Sequence, residues 1–503
     1  MSGRSLPALL RTNVLQRPET QSVDTSILRP VNFSQQGCKF VFEKKGILDS
    51  NSHLQMKLRV KSANGVDVGA NVFAGYLPTG TGALSWIRRA FLTIGGRRIS
   101  NLDEVGQYNT WMRLHYSNEY KKGVIMPKQG GNDIFVGSTA RGLIAPSATS
   151  VNARGFAGPY GVLGREGTEY ALTEFNAGGV DGGVQNNTTA EMGLSTAEEQ
   201  KIKGDFNNCP TFMVGLSQLI PFMRGLQLPL FAINQEVALN IEWSDDALGH
   251  RVQNPTGTTA PLITEFSEPD CLICADYLFY PDLMEGLADE IMNKGGYDVP
   301  YDEMLTQENT ITVASGGDTQ NLEFQLAYGG KKVKSIVIQK QDVDNANLEI
   351  NNIGIYNSMA YRLGKEMQLN IDSQNWYSMP LKNSSLQKSE SDAVEDGLPI
   401  MLCDYRWSWK SSTLDDGSDD VLGISNRQLN GYDQTSEVGT MHWDGIKLSN
   451  AFGQGKRVSN LPMIYSERLV VANDDDGQQR RYRFFVKTQR VANISSGIVN
   501  VIE

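Results

Sequence analysis

Histidine is scarce in this chain of 503 residues: four in all, His53, His115, His250 and His442. They are too scattered for a His-Glu-x-x-His metal helix or for a nucleophile–histidine triad. Cysteine is nearly as rare, with Cys38, Cys209, Cys271, Cys274 and Cys403 making five. An odd count at irregular spacing is no disulfide framework and points to a reducing compartment. Cys271-x-x-Cys274 has the spacing of half a zinc site. No second pair completes it, and on a strand residues three apart point to opposite faces. A basic excess is missing too. The formal net charge is −11, which argues against a general nucleic-acid binder, since that needs a basic face to displace counterions. No signal peptide is evident in Met1–Leu10. Leu219–Ile233, the sort of stretch that could cross a membrane, is interrupted by Arg224, Gln227, Pro221 and Pro229, well short of the ~18 apolar residues a span needs.

Other familiar chemistry is also incomplete. Gly80-Thr81-Gly82, Gly329-Gly330-Lys331 and Gly453-Gln454-Gly455-Lys456 lack the Gly-Lys-Ser/Thr that closes a phosphate loop, and read as turns. The acidic groups Asp415-Asp416, Asp419-Asp420 and Asp474–Asp476 miss the calcium-loop spacing and read as solvated turns. The sequons at Asn32, Asn187, Asn383 and Asn493 are the kind that arise by chance. The expectation is therefore no catalytic residue, no cofactor and no metal site.

What the chain does have is glycine and alternation. Fifty glycines and 40% hydrophobic residues suit a folded protein with many turns. Leu54, Met56, Leu58 and Val60 alternate with polar neighbours, as do Val237, Leu239, Ile241 and Trp243. Period two is the mark of a strand with one buried face. Ala90–Ile94 should be a strand closed by Gly95-Gly96, and Ser100 or Asn101 should cap a helix that buries Tyr108, Trp111 and Leu114. A second helix is expected from Asp282, with Leu287 and Ile291 on one face and Gly295-Gly296 ending it. Beyond Pro300 the strand signature resumes at Thr310–Val313, Leu322–Leu326, Ser335–Gln339, Glu366–Ile371 and Leu402–Trp409. A hairpin, Glu467–Ala472 with Arg480–Thr488, follows. A last strand is expected over Ile494–Ile502. In Arg480–Thr488, Tyr482, Phe484 and Val486 alternate with Arg481, Arg483 and Lys487, which reads as a solvated basic face, the alternative being contact with nucleic acid or acidic neighbours.

Almost no strand–helix–strand alternation is present, so the fold class is all-β, two β-sandwiches on either side of about residue 295. Residues 1–30 carry Arg4, Arg11 and Arg17 with no acid before Glu19, and read as an N-terminal arm. Residues 31–294 form the first sandwich and 295–503 the second. Between 124 and 205 about one residue in five is glycine, expected to be long loops inserted in the first sandwich.

Three blocks carry a resemblance. The first is Leu92–Leu114, with Ile94-Gly95-Gly96-Arg97-Arg98-Ile99, Tyr108-Asn109 and Trp111. The second is Leu226-Gln227-Leu228-Pro229-Leu230 running to Glu236-Val237, with the strand and helix at 275–293. The third runs from Arg490-Val491 to Ser495-Ser496-Gly497. In this order they resemble the double jelly-roll major capsid proteins of icosahedral double-stranded DNA viruses, of the large nucleocytoplasmic, virophage or polinton-like type. Gln235 stands where that family is expected to carry His. The arm and the glycine-rich insertion lie outside the resemblance. It implies two eight-stranded jelly rolls side by side, with short helices and long loop insertions. It also implies homotrimers that act as pseudo-hexameric capsomers, contacts with neighbouring capsomers and with minor capsid and penton proteins, and a place in the virion after assembly in host cytoplasm or nucleus. It implies no sequence-specific nucleic acid, and an internal membrane is not inferable from it. A second reading of the residues is a carbohydrate-binding protein or glycosidase built of two β-sandwiches, with Trp376, Trp407, Trp409 and Trp443 as sugar platforms.

Overall fold

The computed structural model describes residues 22–61, 82–109, 211–223, 227–245, 263–293, 295–312, 319–342, 364–382, 444–449, 454–470 and 479–502, with a few two-residue pieces between them. Two runs of eight strands carry the fold. The first is β1 (Ser22–Leu28), β2 (Gly37–Val41), β3 (His53–Met56), β4 (Ile87–Ile94), β5 (Arg97–Asp103), β6 (Phe212–Gly215), β7 (Val237–Trp243) and β8 (Leu272–Phe279). Helix α1 (Pro281–Asn293) follows. The second is β9 (Tyr297–Thr312), β10 (Thr319–Leu326), β11 (Lys332–Asp342), β12 (Gly364–Ile371), β13 (Gln374–Asn375), β14 (Asp444–Lys447), β15 (Met463–Val470) and β16 (Gln479–Ser495). A closing strand β17 (Ile498–Ile502) doubles back on β16.

The pairing names the architecture. One sheet of the first unit runs β1-β8-β3-β6 and the other β2-β7-β4-β5. First meets last, second meets seventh, third meets sixth and fourth meets fifth, each pair antiparallel. A long hairpin wound round a barrel gives this order, the jelly roll. Adding eight to every number gives the second unit, β9-β16-β11-β14 over β10-β15-β12-β13, again antiparallel at every corresponding pair. The chain is a duplicated jelly roll.

Each roll fills with the alternating side chains that the sequence displays. In the first, Phe40, Leu54, Leu92, Leu239 and Ile273 are sealed from solvent. Trp86 meets Phe212 edge-on at 5.4 Å, and Phe266 stacks on Trp243 at 4.1 Å. Such aromatic pairs add roughly 0.5–1.5 kcal/mol to the burial of their area. In the second, Phe324, Ile336, Leu369, Tyr465 and Phe484 form a separate core.

Two local expectations hold. Gly95 and Gly96 have φ of 57° and 79°, and Ile94 pairs with Arg97 across them, the two-residue turn that favours positive φ at both central positions. Helix α1 buries Leu287 and Ile291, and Gly295-Gly296 follow it at φ 87° and 108°.

Others are corrected. Ser100 and Asn101 cap no helix: β5 stays paired to β4 as far as Asp103, and the helical turn occupies 105–109. The hairpin register holds these residues in the sheet. Helix α1 begins at Pro281 rather than Asp282, since proline's missing N–H is no loss at the first helical position. Ser22–Leu28 lies within the expected arm, yet it pairs along its whole length with β8. The end of the chain is two strands, not one, because Ser496 and Gly497 turn at φ 52° and 77°. Pro300 sits inside β9 opposite Val491. The insertion at 124–205, apart from a two-residue strand Val162–Leu163, lies outside the described residues. So do Trp111, Leu114 and the expected strand Leu402–Trp409.

Candidate functional site: the seam between the two rolls

Strand β16 has two faces with different tasks. Tyr482, Phe484 and Val486 enter the core of the second roll, while Phe485 joins the hydrophobic cluster of the first. The outer face of sheet β9-β16-β11-β14 is therefore pressed against the first roll. It lands on β5, on the turn at 104–109 and on the helical turn Pro221–Met223 between β6 and β7. Tyr301 packs edge-on against Phe222 at 4.7 Å and donates its hydroxyl to the Ile99 carbonyl at 2.9 Å. Phe485 meets Tyr108 with ring centroids 5.6 Å apart.

Charge is buried in this seam. The Arg483 side chain is 3% exposed. Its guanidinium donates to Glu308 Oε2 at 2.8 and 3.2 Å and to Gln339 Oε1 at 3.0 Å, and it approaches Glu104 at 3.9 Å. Gln339 in turn donates to Gln107 Oε1 at 2.5 Å. Row by row, the sheet puts Glu308 opposite Arg483 and Arg483 opposite Gln339, so register alone assembles the cluster. Deeper along the same face, Asp302 accepts Lys334 at 2.6 Å and Lys487 at 3.5 Å. Arg490 meets Glu303 at 2.8 Å. The basic face expected to be solvated thus has Arg483 and Lys487 buried, because a second layer covers it.

Backbone contacts lock the far end of the seam. Asn234 donates its N–H to the Gly497 carbonyl at 2.9 Å, and Gln235 Oε1 accepts the Val499 N–H at 2.9 Å. Gly95 lies so close that a Cβ there would stand 2.3 Å from Gln235 Nε2. Gln235, the departure from the resembled family, accepts from the last strand of the second roll and packs against the Gly95-Gly96 turn. Nothing in the sequence marked it for that role.

The other candidates do not converge. Among the described residues no group of three or more His, Cys, Asp or Glu could hold a metal ion, and no helix is long and apolar enough to cross a membrane. Cys38 and Cys271 are buried and Cys274 is half-buried. Burial holds the Cys271 thiol up at about 12 and raises Cys38 as well. At pH 8 both are protonated, and the thiolate is the reactive form. Iodoacetamide at pH 8 should leave Cys38 and Cys271 unlabelled in the native protein and label them on denaturation, as read by peptide mass spectrometry. His53 lies on β3 opposite Cys274. Trp376 is 37% exposed beside β13. His115, His250, Trp407, Trp409, Trp443, Cys209, Cys403 and the acidic groups at 415–420 and 474–476 lie outside the described residues, as does the His442 side chain.

No protein-family model matches the sequence, and no curated protein matches it. Solved structures do. A chain of the Sputnik virophage, solved by cryo-electron microscopy, is similar over 98% of this chain and 90% of its own, with a TM-score of 0.52 at 10% identity. A chain of the PBCV-1 virus capsid is similar over 97% and 98%, with a TM-score of 0.49 at 11% identity. The mavirus major capsid protein is similar over 95% and 90%, with a TM-score of 0.46 at 9% identity. The likeness to the virophage chain extends over both rolls, and the fold is the double jelly roll that the three sequence blocks implied.

Proposed function

We propose that this chain is the major capsid protein of an icosahedral double-stranded DNA virus, a structural protein without enzymatic activity, whose homotrimers form pseudo-hexameric capsomers. One observation supports the reading: two rolls of identical strand order are joined through a buried seam. A chain so built presents two equivalent wedges, and three chains in a closed ring present six. Closed rings need a heterologous contact, one patch meeting a different patch, which a chain with two similar but distinct ends supplies. In this reading the first roll runs to residue 294, the second takes residues 295–503, and residues 1–21 are left as an arm toward neighbouring capsomers or inner partners. The protein then resides in the virion shell, with minor capsid and penton proteins as neighbours and no sequence-specific contact with nucleic acid.

Light scattering on the purified protein tests this directly. A stable species at three times the chain mass of 55.5 kDa, appearing as a six-lobed ring by negative-stain electron microscopy, is the expected result. A monomer at every concentration up to the solubility limit overturns it.

A further inference from the structure

One corner of the second roll carries more positive charge than its neighbours balance. It lies on the outer face of β9-β16-β11-β14, where β11 begins. The sheet sets Asp302, Gln489, Lys332 and Arg457 opposite one another in a single row, the last from the two-residue strand Lys456–Arg457. Lys332 and Arg457 are both exposed and stand directly across from each other, and like charges so placed destabilise a sheet. Neither has an ion pair among the described residues. The next layer is short of anions too. Asp302 Oδ1 lies 2.6 Å from Lys334 Nζ, and Oδ2 lies 3.5 Å from Lys487 Nζ. The side chains of Asp302, Lys334 and Lys487 are 8%, 15% and 10% exposed. One carboxylate thus serves two ammonium groups that are largely out of water, where an unbalanced charge is costly. Two other acids are engaged elsewhere. Glu303 meets Arg490 at 2.8 Å, and Asp372, with Lys456 beside it, accepts the Ser459 N–H at 2.9 Å. Lys332, Lys334, Arg457 and Lys487 share this corner with Asp302 alone, in a chain whose formal net charge is −11.

We propose that this corner binds a phosphate group of a small, free polyanion. A phosphate carries about two negative charges near neutral pH and offers three strong acceptor oxygens, so it balances the excess that a single further carboxylate would leave. The Arg457 guanidinium suits such an oxyanion because its donors form a planar fork. The depth of the corner selects the size of the ligand. Lys332 and Arg457 are open to solvent, whereas Lys334 and Lys487 are recessed, and a flat anionic surface would touch only the outer two. Nucleic acid wants a basic stripe along its backbone, and this patch is compact. The inference is independent of the homotrimer reading, since it needs only the folded chain.

Inorganic tripolyphosphate is the probe, titrated into the full-length protein by calorimetry in phosphate-free buffer at fixed ionic strength. The parent should bind it and melt several degrees higher in its presence, because a ligand that binds only the folded state stabilises that state. K332Q/R457Q should bind roughly tenfold more weakly, the usual effect of losing a hydrogen bond to a charged group. Both residues are exposed, and without ligand this variant should melt no lower than the parent, since it loses a repulsion. R97Q/R98Q removes the same charge from two exposed arginines on β5 and should bind like the parent. No binding by the parent, or an equal loss in both variants, overturns the site. Sedimentation with vesicles of phosphatidic acid and phosphatidylcholine separates a free phosphate from a lipid headgroup. The parent should stay in the supernatant. Vesicle binding that K332Q/R457Q loses, without tripolyphosphate binding, overturns the free-polyanion assignment.

Discussion

Replacing Arg483 with alanine should loosen the joint between the rolls by about 1–3 kcal/mol, the usual effect of leaving a buried polar group without its partner. The Arg483 side chain is 3% exposed, and it is the charge partner of Glu308 and Glu104 and the donor to Gln339. Alanine takes the guanidinium donor from the fully buried Gln339, while Glu308, 41% exposed, keeps Arg481 at 2.9 Å. Calorimetry is the appropriate readout, because a chain of two cores need not unfold in one step. The parent should melt as a single transition. The R483A variant should melt in two, the earlier belonging to one roll released from the other. R483M, which restores volume without charge, separates packing from pairing. If methionine recovers most of the loss, the guanidinium contributes orientation more than stability. A single unshifted transition in R483A shows that the seam does not couple the rolls.

The F485A variant should have a larger effect for a different reason. Phe485 is fully buried and meets Tyr108 across the seam. Its neighbours on β16, Phe484 and Val486, point the other way into the second core. Removing a buried phenyl ring costs about 3–5 kcal/mol, part transfer and part cavity. Because the lost contact is between rolls, the cavity opens at the seam and not in either core. F485A should therefore also split the melting transition, and limited proteolysis should cut preferentially between α1 and β9. F484A, its neighbour in sequence, should lower the stability of the second roll and leave the joint intact. The contrast between adjacent residues is the decisive measurement. Equal behaviour of the two variants shows that the faces of β16 are not assigned as described.

Much of this protein was settled locally by its sequence. Period-two alternation in Leu54–Val60, Val237–Trp243 and Tyr482–Val486 marks strands whatever surrounds them. Gly95-Gly96 and Gly295-Gly296 adopt positive φ because no other pair does so at so little strain, so the turn between β4 and β5 and the end of α1 were legible. The blocks around them carried the resemblance to the double jelly roll. The tertiary structure decided what alternation leaves undetermined, namely what lies on the other side of each face. Arg481, Arg483 and Lys487 have the spacing of a wet surface, but a second roll covers Arg483 and Lys487 and makes them an interior ion-pair cluster. Ser22–Leu28 has the composition of an arm, but β8 offers a free edge and takes it as a strand. Asn234 and Gln235 become the latch of the seam only because Gly497 and Val499, more than 260 residues later in sequence, return to meet them. Local propensity is short-ranged, whereas burial is a property of the assembled layers; the strands could be read from the chain, and which of their faces are interior could not.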